Sequence, residues 1–292
     1  MAEEVWMLQT KKADFKQIGA QFRIDPVTAR IIRNRGIEGE AAIDRYLNGT
    51  LDDLYDPMLL KDMERAVSIL CEAVDTGKKI RIVGDYDIDG VCSTYILLQA
   101  FERLGSDVDF EIPDRIKDGY GINESIIEQA HADGVEVILT CDNGISAFHQ
   151  VELAKKYGMT VVITDHHEVP LDGEKEKIPP ADAVIDPKQA DCPYPFPEIC
   201  GAVVAYKLVQ VLYARRGVPQ MEWLDLLEFA AIATVGDVMK LQDENRILVK
   251  YGLKKMAQTK NLGLRRLAEK NNLDLGAITA YHIGFVIGPC LN

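Results

Sequence analysis

Short apolar runs rich in β-branched residues alternate with helical segments through the middle of this chain. Four of these runs, 79–85, 135–142, 159–165 and 181–187, end in a polar or glycine turn, and a fainter run at 107–113 fits between the first two. Strands that are apolar on both faces and alternate with helices usually form a parallel sheet covered by helices. The sequence therefore predicts an α/β fold with a mostly parallel five-stranded sheet flanked by helices.

The segments between these strands have the apolar periodicity of helices and stop at glycines. The predicted helices are 91–104, 123–132 and 146–157. Glycine favours the left-handed conformation that often closes a helix, and Gly105, Gly134 or Gly158 follows each of them. These endings support the same alternation of strands and helices.

Both ends of the chain have helical patterns. With 292 residues it is long enough to bury a full core as one large domain or as two of ordinary size. We expect a helical N-terminal section at 1–72 that packs on the core, followed by a main domain at 73–292. This domain is expected to have an α/β core to about residue 200 and an all-helical part at 201–292, with one N-terminal helix within 25–37 and another within 58–77.

The cysteine pattern and the N-terminus bear on the cellular compartment. No CxxC pair occurs among the six cysteines, which argues against a zinc ribbon or a disulfide framework. Residues 1–15, with the acidic Glu3 and Glu4, lack an apolar stretch of signal-peptide length, and no run approaches the roughly 18 apolar residues of a spanning helix. We expect a soluble, cytoplasmic protein that does not associate with membranes.

The charge balance is acidic, with 46 acidic against 33 basic residues and a formal charge of −13. This balance argues against a nucleic-acid ligand, because phosphate contacts normally require an excess of lysine and arginine. Basic residues are nevertheless concentrated at 11–35 and at 250–270. Such runs are usually solvated helix faces, and the wall of a nucleic-acid groove is the alternative.

Carboxylate and imidazole side chains follow three of the predicted strands. They are Asp85, Asp87 and Asp89 after the first strand, Asp142 with Asn143 after another, and Asp165, His166 and His167 after a third. The carboxyl ends of parallel strands lie along one edge of an open sheet, where ligands bind. Groups that are far apart in the sequence are therefore expected to converge on one site.

Each of these motifs also has a structural interpretation. Asp89 in DYDIDG (85–90) can cap the following helix, and CDNG (141–144) can be a tight turn. DYDIDG also matches the first half of an EF-hand loop, but the position that needs glutamate is Ile96 and a strand precedes the motif. The adjacent histidines of DHH (165–167) are harder to explain structurally, and the three motifs together indicate a metal site.

The donor atoms indicate which metal. Carboxylates with imidazole favour Mn²⁺ or Mg²⁺ over a structural zinc ion. Several carboxylates in one pocket repel each other unless cations neutralise them, and two ions about 3.5–4 Å apart are a common solution that also promotes attack on phosphorus. The residues therefore predict hydrolysis of a phosphate ester or anhydride with two metal ions.

The three motifs, DYDIDG (85–90), CDNGISA (141–147) and TDHHEVP (164–170), resemble those of the DHH phosphoesterase superfamily in order and spacing. Within it, the chain is similar over nearly its whole length to the RecJ-like exonucleases. The additional segments of resemblance are 56–67, 118–123, 192–208, 233–253 and 284–292.

The resemblance implies that 73–292 is a DHH catalytic domain that acts as a 5′ to 3′ exonuclease on single-stranded DNA. Such an enzyme releases 5′ mononucleotides in DNA repair and recombination, and its implied partners include a helicase and a single-strand-binding protein. The alternative within the superfamily is a phosphoesterase for pyrophosphate, a short oligonucleotide or a cyclic dinucleotide. A third hypothesis is a non-catalytic scaffold, which loss of ligand residues would mark.

The resemblance also implies the roles of single residues. The implied ligands of two Mn²⁺ or Mg²⁺ ions are Asp85, Asp87, Asp142, His166 and Asp237. Asp142 would bridge the ions, His167 would lie near the scissile phosphate, and Asp165 would orient a neighbouring histidine, so that Asp165, His166 and His167 form the predicted catalytic set. Only the resemblance makes Asp237 a candidate metal ligand, because a lone aspartate at a helix end is usually solvated or caps the helix.

Other positions are expected to be structural or depart from the family pattern. Asn143 and Gly144 are expected to shape the turn around Asp142. Gly201 and Ala202 could let the backbone approach the site closely, and ordinary packing of the helix through 205–207 explains them equally well. Cys290 stands where relatives often have arginine. The resemblance also leads us to expect that the chain lacks a following DHHA1 domain and OB-fold.

Overall fold

The computed structural model describes residues 7, 11–117 and 119–291. Four positions on which sequence expectations rested, Glu3, Glu4, Asp118 and Asn292, therefore lie outside the described residues. The chain divides into two units, residues 1–54 and 55–292.

The first unit is a small helical cluster. Its helices are α1 (Phe15–Phe22), α2 (Pro26–Asn34) and α3 (Glu40–Asn48), followed by a short 3₁₀ turn at Leu51–Asp53. The side chain of Asp25 accepts a hydrogen bond from the amide of Val27, and Pro26 fills the first helical position, so α2 begins where the sequence predicts a helix start. The buried side chains of Ile32, Ile43 and Tyr46 hold the cluster together.

The second unit begins at Tyr55, and a 3₁₀ turn at Pro57–Leu59 precedes its first helix, α4 (Met63–Thr76). The predicted boundary at residue 72 falls inside this helix. Met63, Val67 and Leu70 on one face of α4 are buried, and the helix packs on the sheet and on a later helix. Because that apolar face belongs to the main core, α4 is part of the larger unit.

A five-stranded sheet forms the centre of this unit. Its strands are β1 (Ile80–Val83), β2 (Val108–Glu111), β3 (Val137–Cys141), β4 (Thr160–Thr164) and β7 (Ala183–Ile185), while β5 (Leu171–Asp172) and β6 (Lys175–Glu176) make a separate antiparallel hairpin. The strand order is β2-β1-β3-β4-β7, and all four pairings are parallel. The predicted α/β fold with a parallel five-stranded sheet is thus confirmed.

The helices between the strands lie close to their predicted positions. They are α5 (Ile88–Arg103), α6 (Glu124–Ala132) and α7 (Phe148–Lys156). Gly105, Gly134 and Gly158 after them have φ values of 73°, 73° and 80°, the left-handed conformation that the sequence predicts.

Between residues 201 and 291 the regular elements are all helical, as predicted. The helices are α8 (Gly201–Arg215), α9 (Gln220–Leu224), α10 (Leu227–Gly236), α11 (Asp243–Met256), α12 (Leu262–Lys270), α13 (Ala280–His282) and α14 (Gly288–Leu291), with a π turn at Ile283–Ile287 and a 3₁₀ turn at Leu275–Ala277. Helices α5, α8 and α10 pack on one another, and α11 packs on α10.

In the part of the chain that the structure describes, no helix is long and apolar enough to cross a membrane. All six cysteines are free.

Arg81 ties together three elements at the amino end of the sheet. It lies on β1, is 6% exposed, and donates two hydrogen bonds to Asp109 on β2 and one to Asp133 after α6, over 2.7–2.9 Å. Burial would raise the pKa of Asp109, but the hydrogen bonds from Arg81 and Lys79 outweigh it and lower the pKa below its ordinary value. The hydrogen bond from Arg81 likewise lowers the pKa of Asp133.

Replacing Arg81 with methionine is expected to lower the free energy of unfolding at pH 7 by about 1–3 kcal/mol, because Asp109 and Asp133 lose the hydrogen bonds that Arg81 donates. A depressed carboxyl pKa contributes stability above the unfolded value of about 4, and this contribution disappears as the pH falls through the folded value. The difference between wild type and variant should therefore shrink below about pH 4. Urea titrations from pH 3 to 7 measure it, with Arg65→Met, an exposed position on α4, as the control. A pH-independent difference would contradict the ionic interpretation.

Candidate metal centre at the carboxyl edge of the sheet

The strand order reverses direction between β1 and β3, and ligands bind at such switch points in parallel sheets. Asp85 follows β1 and Asp142 follows β3, so these two carboxylates flank the switch point. Asp85 is fully buried, and its Oδ1 accepts a hydrogen bond from the amide of Gly121 over 3.1 Å. Its Oδ2 is buried with no hydrogen-bond partner among the described residues, so it can ligate a cation.

Two carboxylates of the DYDIDG motif accept hydrogen bonds from backbone amides in the first turns of helices. Oδ1 of Asp87 accepts hydrogen bonds from the amides of Asp89 and Gly90, so Asp87 is the N-cap of α5. The sequence offered Asp89 as a cap of this helix, but the structure gives that role to Asp87. The buried carboxylate of Asp89 instead accepts hydrogen bonds from the amides of Gly201 and Ala202, over 2.7 and 2.8 Å. These hydrogen bonds fix the N-terminus of α8.

Asp142 occupies the centre of the edge. It is 1% exposed and has a φ of 60°, a left-handed conformation that is unusual for a residue other than glycine and often marks a functional site. The turn is held by Asn143, which donates to the carbonyls of Val83 and Cys141 over 3.1 and 2.9 Å. Asn143 thus has the structural role that the sequence predicts, and it joins the ends of β1 and β3.

The DHH segment brings two imidazoles to the same edge. Nε2 of His166 lies 3.0 Å from Oδ1 of Asp142 and 3.4 Å from Oδ2 of Asp89. Asp165 is buried, and its Oδ1 lies 2.7 Å from Nδ1 of His167. Its Oδ2 accepts a hydrogen bond from the amide of Ile145 over 2.9 Å. The contact between Asp165 and Nδ1 of His167 fixes one side of this imidazole.

Asp237 reaches the cluster from the C-terminus of α10. Its Oδ2 is 3.9 Å from Nε2 of His166, across the cluster from Asp142. Val238, the next residue, has a φ of 56°, which is strained for a β-branched residue, and its side chain is 86% exposed. The strained turn directs the chain away from the helix directly after Asp237.

Burial and mutual repulsion dominate the electrostatics of the cluster. Burial and the charges of Asp89 and Asp87 raise the pKa of Asp142 well above its usual range and that of Asp237 to about 7. Burial likewise raises the pKa of Asp85 and lowers that of His166, which favours a neutral imidazole. Buried acids that repel one another are stabilised by a bound cation.

Two groups of side chains in this cluster have ligand atoms close enough together to hold a metal ion. One consists of Asp142, His166 and His167, and the other of Asp89, His166 and Asp237. Asp85 and Asp87 lie at the same edge but outside these two groups. Sequence reasoning did not place Asp89 among the ligands, because its DYDIDG position is equally suited to a helix cap.

Sequence reasoning also missed Tyr120. Its hydroxyl donates to the carbonyl of Asp142 over 2.9 Å and lies 3.0 Å from Nε2 of His167. Asp165 and Tyr120 therefore hold the two ring nitrogens of His167 between them. Tyr120 lies in the segment 118–123 that contributed to the resemblance, but nothing in its spacing indicates which strand end it contacts.

Gly201 is required for the approach of α8 to Asp142. A Cβ added at Gly201 would lie 2.7 Å from Cβ and 2.8 Å from Oδ1 of Asp142, closer than real contacts allow. Of the two alternatives that the sequence left open at Gly201, the structure shows the close backbone approach. Because both contacts are to a short, fixed side chain, only a shift of α8 or of Asp142 would relieve them.

Gly201→Ala is expected to weaken Mn²⁺ binding by about 10–100-fold and to lower the free energy of unfolding by about 1–3 kcal/mol. Calorimetric titration and thermal melting measure the two effects. Gly284→Ala is the control, because its new methyl group would meet only Cγ1 of Val235, at 3.8 Å. Unchanged Mn²⁺ affinity in Gly201→Ala would show that the contact with Asp142 does not position a ligand.

The fold and this cluster define a parallel α/β protein with a candidate centre for divalent metal ions at the switch point of its sheet. The model of the DHH family, N-terminal domain, matches residues 79–234, which contain all three strand-end motifs. The chain belongs to the DHH family.

Individual relatives agree with this assignment. The chain is 37% identical to the single-stranded-DNA-specific exonuclease RecJ of Bacillus subtilis, over 98% of the chain and 35% of that protein. It is 35% identical to the RecJ of Escherichia coli, over 92% of the chain and 47% of that protein. The crystal structure of RecJ from Thermus thermophilus in complex with Mn²⁺ superposes with a TM-score of 0.75 at 30% identity, covering 94% of this chain and 38% of that one. The chain thus spans about a third to a half of the length of these relatives.

Proposed function

We propose that this chain is the catalytic part of a metal-dependent phosphodiesterase that removes 5′ mononucleotides from single-stranded DNA in the 5′ to 3′ direction. The observation that carries the proposal is the convergence of DYDIDG, CDNGISA and TDHHEVP on one buried edge, in a chain 35–37% identical to single-stranded-DNA-specific exonucleases. The proposed catalytic domain contains residues 73–292 together with all of α4.

The side chains at the edge fit two divalent ions. Buried carboxylate oxygens without hydrogen-bond partners among the described residues include Oδ2 of Asp85 and Oδ1 of Asp142, and Nε2 of His166 faces Asp142. The proposed ligands are Asp85, Asp87, Asp142, His166 and Asp237, with Asp142 shared between the ions. Bound Mn²⁺ or Mg²⁺ would supply a nucleophile from water and neutralise charge on phosphorus. Cys141 is not a ligand in this proposal, and its buried thiol lies 3.5 Å from the hydroxyl of Thr94.

The chain itself would position the scissile phosphate through His167. Burial alone would lower the pKa of His167, but its hydrogen bond to Asp165 and the negative charges of Asp165, Asp89 and Asp237 raise it overall. An imidazole held between Asp165 and Tyr120 has little freedom to rotate, which favours catalysis by fixing the proton donor. His167 would donate from Nε2 to a phosphate oxygen in place of its contact with the hydroxyl of Tyr120, while Asp165 keeps Nδ1.

The proposal predicts Mn²⁺- or Mg²⁺-dependent release of mononucleotides from the 5′ end of a single-stranded oligonucleotide. The test compares a long single strand, a dinucleotide and pyrophosphate at equal concentration, with a double strand and a strand blocked at its 5′ end as controls. Preference for the dinucleotide or pyrophosphate would favour the alternative phosphoesterase acting on small substrates. Absence of Mn²⁺ binding by calorimetry would favour a non-catalytic scaffold.

Charge no longer argues against a nucleic-acid substrate under this proposal, because two divalent ions would neutralise four of the acidic charges at the edge. The basic run at 250–270 is partly neutralised, since Lys255 and Lys260 pair with Asp225, and Arg266 pairs with Glu269. These pairs support a solvated helix face over a groove wall.

A helicase and a single-strand-binding protein are further proposed partners, which co-purification would test.

A further inference from the structure

Helices α1 and α2 have a charge opposite in sign to that of the whole chain. Residues 11–37 contain seven basic residues and two acidic ones, while the formal charge of the chain is −13. Asp14 accepts a hydrogen bond from the amide of Gln17 over 2.9 Å and thereby caps α1. Asp25 caps α2 in the same way through the amide of Val27, over 2.7 Å. Both acids are thus used inside the helix pair, and a basic surface in an acidic protein favours a polyanionic ligand.

The cations of this helix pair are available to a ligand. Four of them are exposed and form no salt bridge within the part of the chain that the structure describes, and these are Lys12, Lys16, Arg23 and Arg30. The basic run at 250–270 differs, because acidic neighbours neutralise part of it, as in the pair of Arg266 with Glu269. The run at 11–35 could be a solvated helix face or a surface for nucleic acid, and its unpaired cations favour the second.

A hollow of about 610 Å³ lies at the N-terminal ends of both α1 and α2. Its lining includes Phe15 and Lys16 from the first turn of α1 and Arg30 from α2. The guanidinium of Arg30 lies over the ring of Phe15, 4.6 Å from its centroid. Asp14 also lines the hollow, but its carboxylate is used as the N-cap of α1. Because the N-terminal end of a helix carries a partial positive charge, two such ends beside Lys16 and Arg30 suit a phosphate group.

A turn of three residues, 23–25, joins α1 to α2. Arg23 has a φ of 55°, the left-handed conformation that ends α1, and its amide and that of Ile24 donate to the carbonyl of Gly19. Gly19 is buried, and a Cβ added there would lie 2.8 Å from the carbonyl oxygen of Ile24, so the turn lies close against α1. Two helices that pack around so short a turn have the arrangement of helix-turn-helix motifs, whose second helix enters the major groove of double-stranded DNA.

The outer face of α2 has the side chains that such a second helix needs. The exposed residues after its first position are Val27, Thr28, Arg30 and Ile31. Ala29 and Ile32 are buried, so the opposite face of the helix packs on the rest of the first unit. Arginine and threonine donate hydrogen bonds to phosphates and to base edges, and apolar side chains contact the methyl group of thymine. The outer face of α2 is therefore chemically suited to a DNA groove.

A single strand and a membrane surface suit this face less well than a duplex. Proteins bind single strands by stacking bases on aromatic rings, whereas the ring of Phe15 is already covered by Arg30. A helix that lies in a membrane surface inserts its apolar face, whereas the apolar face of α2, with Ala29 and Ile32, is buried in the protein. An exposed face that combines cations with a few apolar side chains fits a groove bordered by phosphates.

We propose that α1 and α2 form a second nucleic-acid site, which binds double-stranded DNA without metal ions. Phosphates lie at the hollow with Lys16 and Arg30, and the outer face of α2 enters the major groove. Phosphate contacts of this kind give dissociation constants of about 10⁻⁴–10⁻⁶ M at physiological salt. The site goes beyond the proposed function, because it uses none of the strand-end motifs and cleaves nothing. It would hold the protein on a duplex that adjoins a single-stranded end.

Fluorescence anisotropy of a labelled, blunt-ended duplex in EDTA measures this binding without metal ions. Lys16→Gln combined with Arg30→Gln is expected to weaken binding about tenfold or more, because two phosphate contacts are lost. The slope of the logarithm of the binding constant against the logarithm of the salt concentration should also become smaller by about two. The control, Lys260→Gln combined with Arg266→Gln, removes the same charge from exposed positions in the other basic run and should bind the duplex as wild type does.

Thr28→Glu is a second variant, whose effect is separate from any loss of folding. Glutamate in the first turn of a helix interacts favourably with the helix dipole, but at this exposed position on α2 it would repel phosphates. The variant should therefore keep the melting temperature of wild type and bind the duplex several-fold more weakly.

Equal duplex affinity in the Lys16 and Arg30 double variant and in its control, or no duplex binding by wild type, would overturn the site. Tighter binding of a single strand than of the duplex in EDTA would assign the face to single strands instead. Binding to vesicles with anionic lipids that the double variant loses, with duplex binding unchanged, would assign it to a membrane surface. Duplex binding in EDTA and hydrolysis of single strands with Mn²⁺ are separate measurements, so either proposal can fail while the other stands.

Discussion

Replacing Asp142 with asparagine will have opposite effects on stability and on activity. Asparagine has the same shape but no charge, so the repulsion by Asp89 and Asp87 that raises the pKa of Asp142 disappears. The metal-free variant should therefore be more stable than metal-free wild type, by on the order of 1 kcal/mol or more. Metal-dependent hydrolysis should fall about 10³-fold or more, since metal-ion catalysis contributes several kcal/mol.

Thermal melting with and without Mn²⁺ separates these effects. A ligand at 100 times its dissociation constant stabilises a folded protein by about 2.7 kcal/mol, and Asp142→Asn should lose most of this gain. Asp172→Asn, at an exposed position on β5, is the matched control and should change neither quantity. Full Mn²⁺ stabilisation in Asp142→Asn would show that Asp142 is not a ligand.

A second large effect is expected at a buried ion pair remote from the reaction. Lys207 on α8 is 1% exposed, and its Nζ lies 3.0 Å from Oε2 of the fully buried Glu244 on α11 and 3.2 Å from the carbonyl of Tyr55. The hydroxyl of Tyr194 donates to the other oxygen of Glu244. Lys207→Met would leave Glu244 as an uncompensated buried charge, which typically costs about 3–5 kcal/mol.

That loss is a large fraction of the roughly 5–15 kcal/mol that stabilises a typical domain, so the melting temperature should fall by roughly 10 °C. The double variant Lys207→Met with Glu244→Leu removes both charges and should recover much of the loss. Lys61→Met, which breaks an exposed pair with Asp191, is the control and should cost at most about 1 kcal/mol. A double variant no more stable than Lys207→Met would place the effect in packing rather than in charge.

Lys207 also shows where sequence reasoning reached its limit. From the sequence alone, the helix through 205–207 could either lie near the site or pack as an ordinary helix. The structure assigns Lys207 to a buried ion pair with Glu244, which is 37 positions further along the chain. Neither periodicity nor composition predicts this pairing, because it depends on how α8 and α11 pack.

Local sequence likewise does not decide which of two aspartates in DYDIDG caps α5. Spacing shows that a carboxylate in this turn can cap a helix, and both Asp87 and Asp89 are close enough to α5. Asp87 caps α5, and Asp89 instead binds the amides of α8, 112 and 113 positions away. The choice depends on where the N-terminus of α8 lies, which no local pattern specifies.

The sequence by itself determined the parallel sheet and the convergence of its polar strand ends. Apolar runs that alternate with helices leave few topologies, and parallel strands place their carboxyl ends on one edge. Only the tertiary structure decided which atoms meet there: His166 between Asp142, Asp89 and Asp237, and His167 between Asp165 and Tyr120. The physical reason is that secondary structure follows local periodicity, whereas contacts between side chains follow from the packing of elements distant in the sequence.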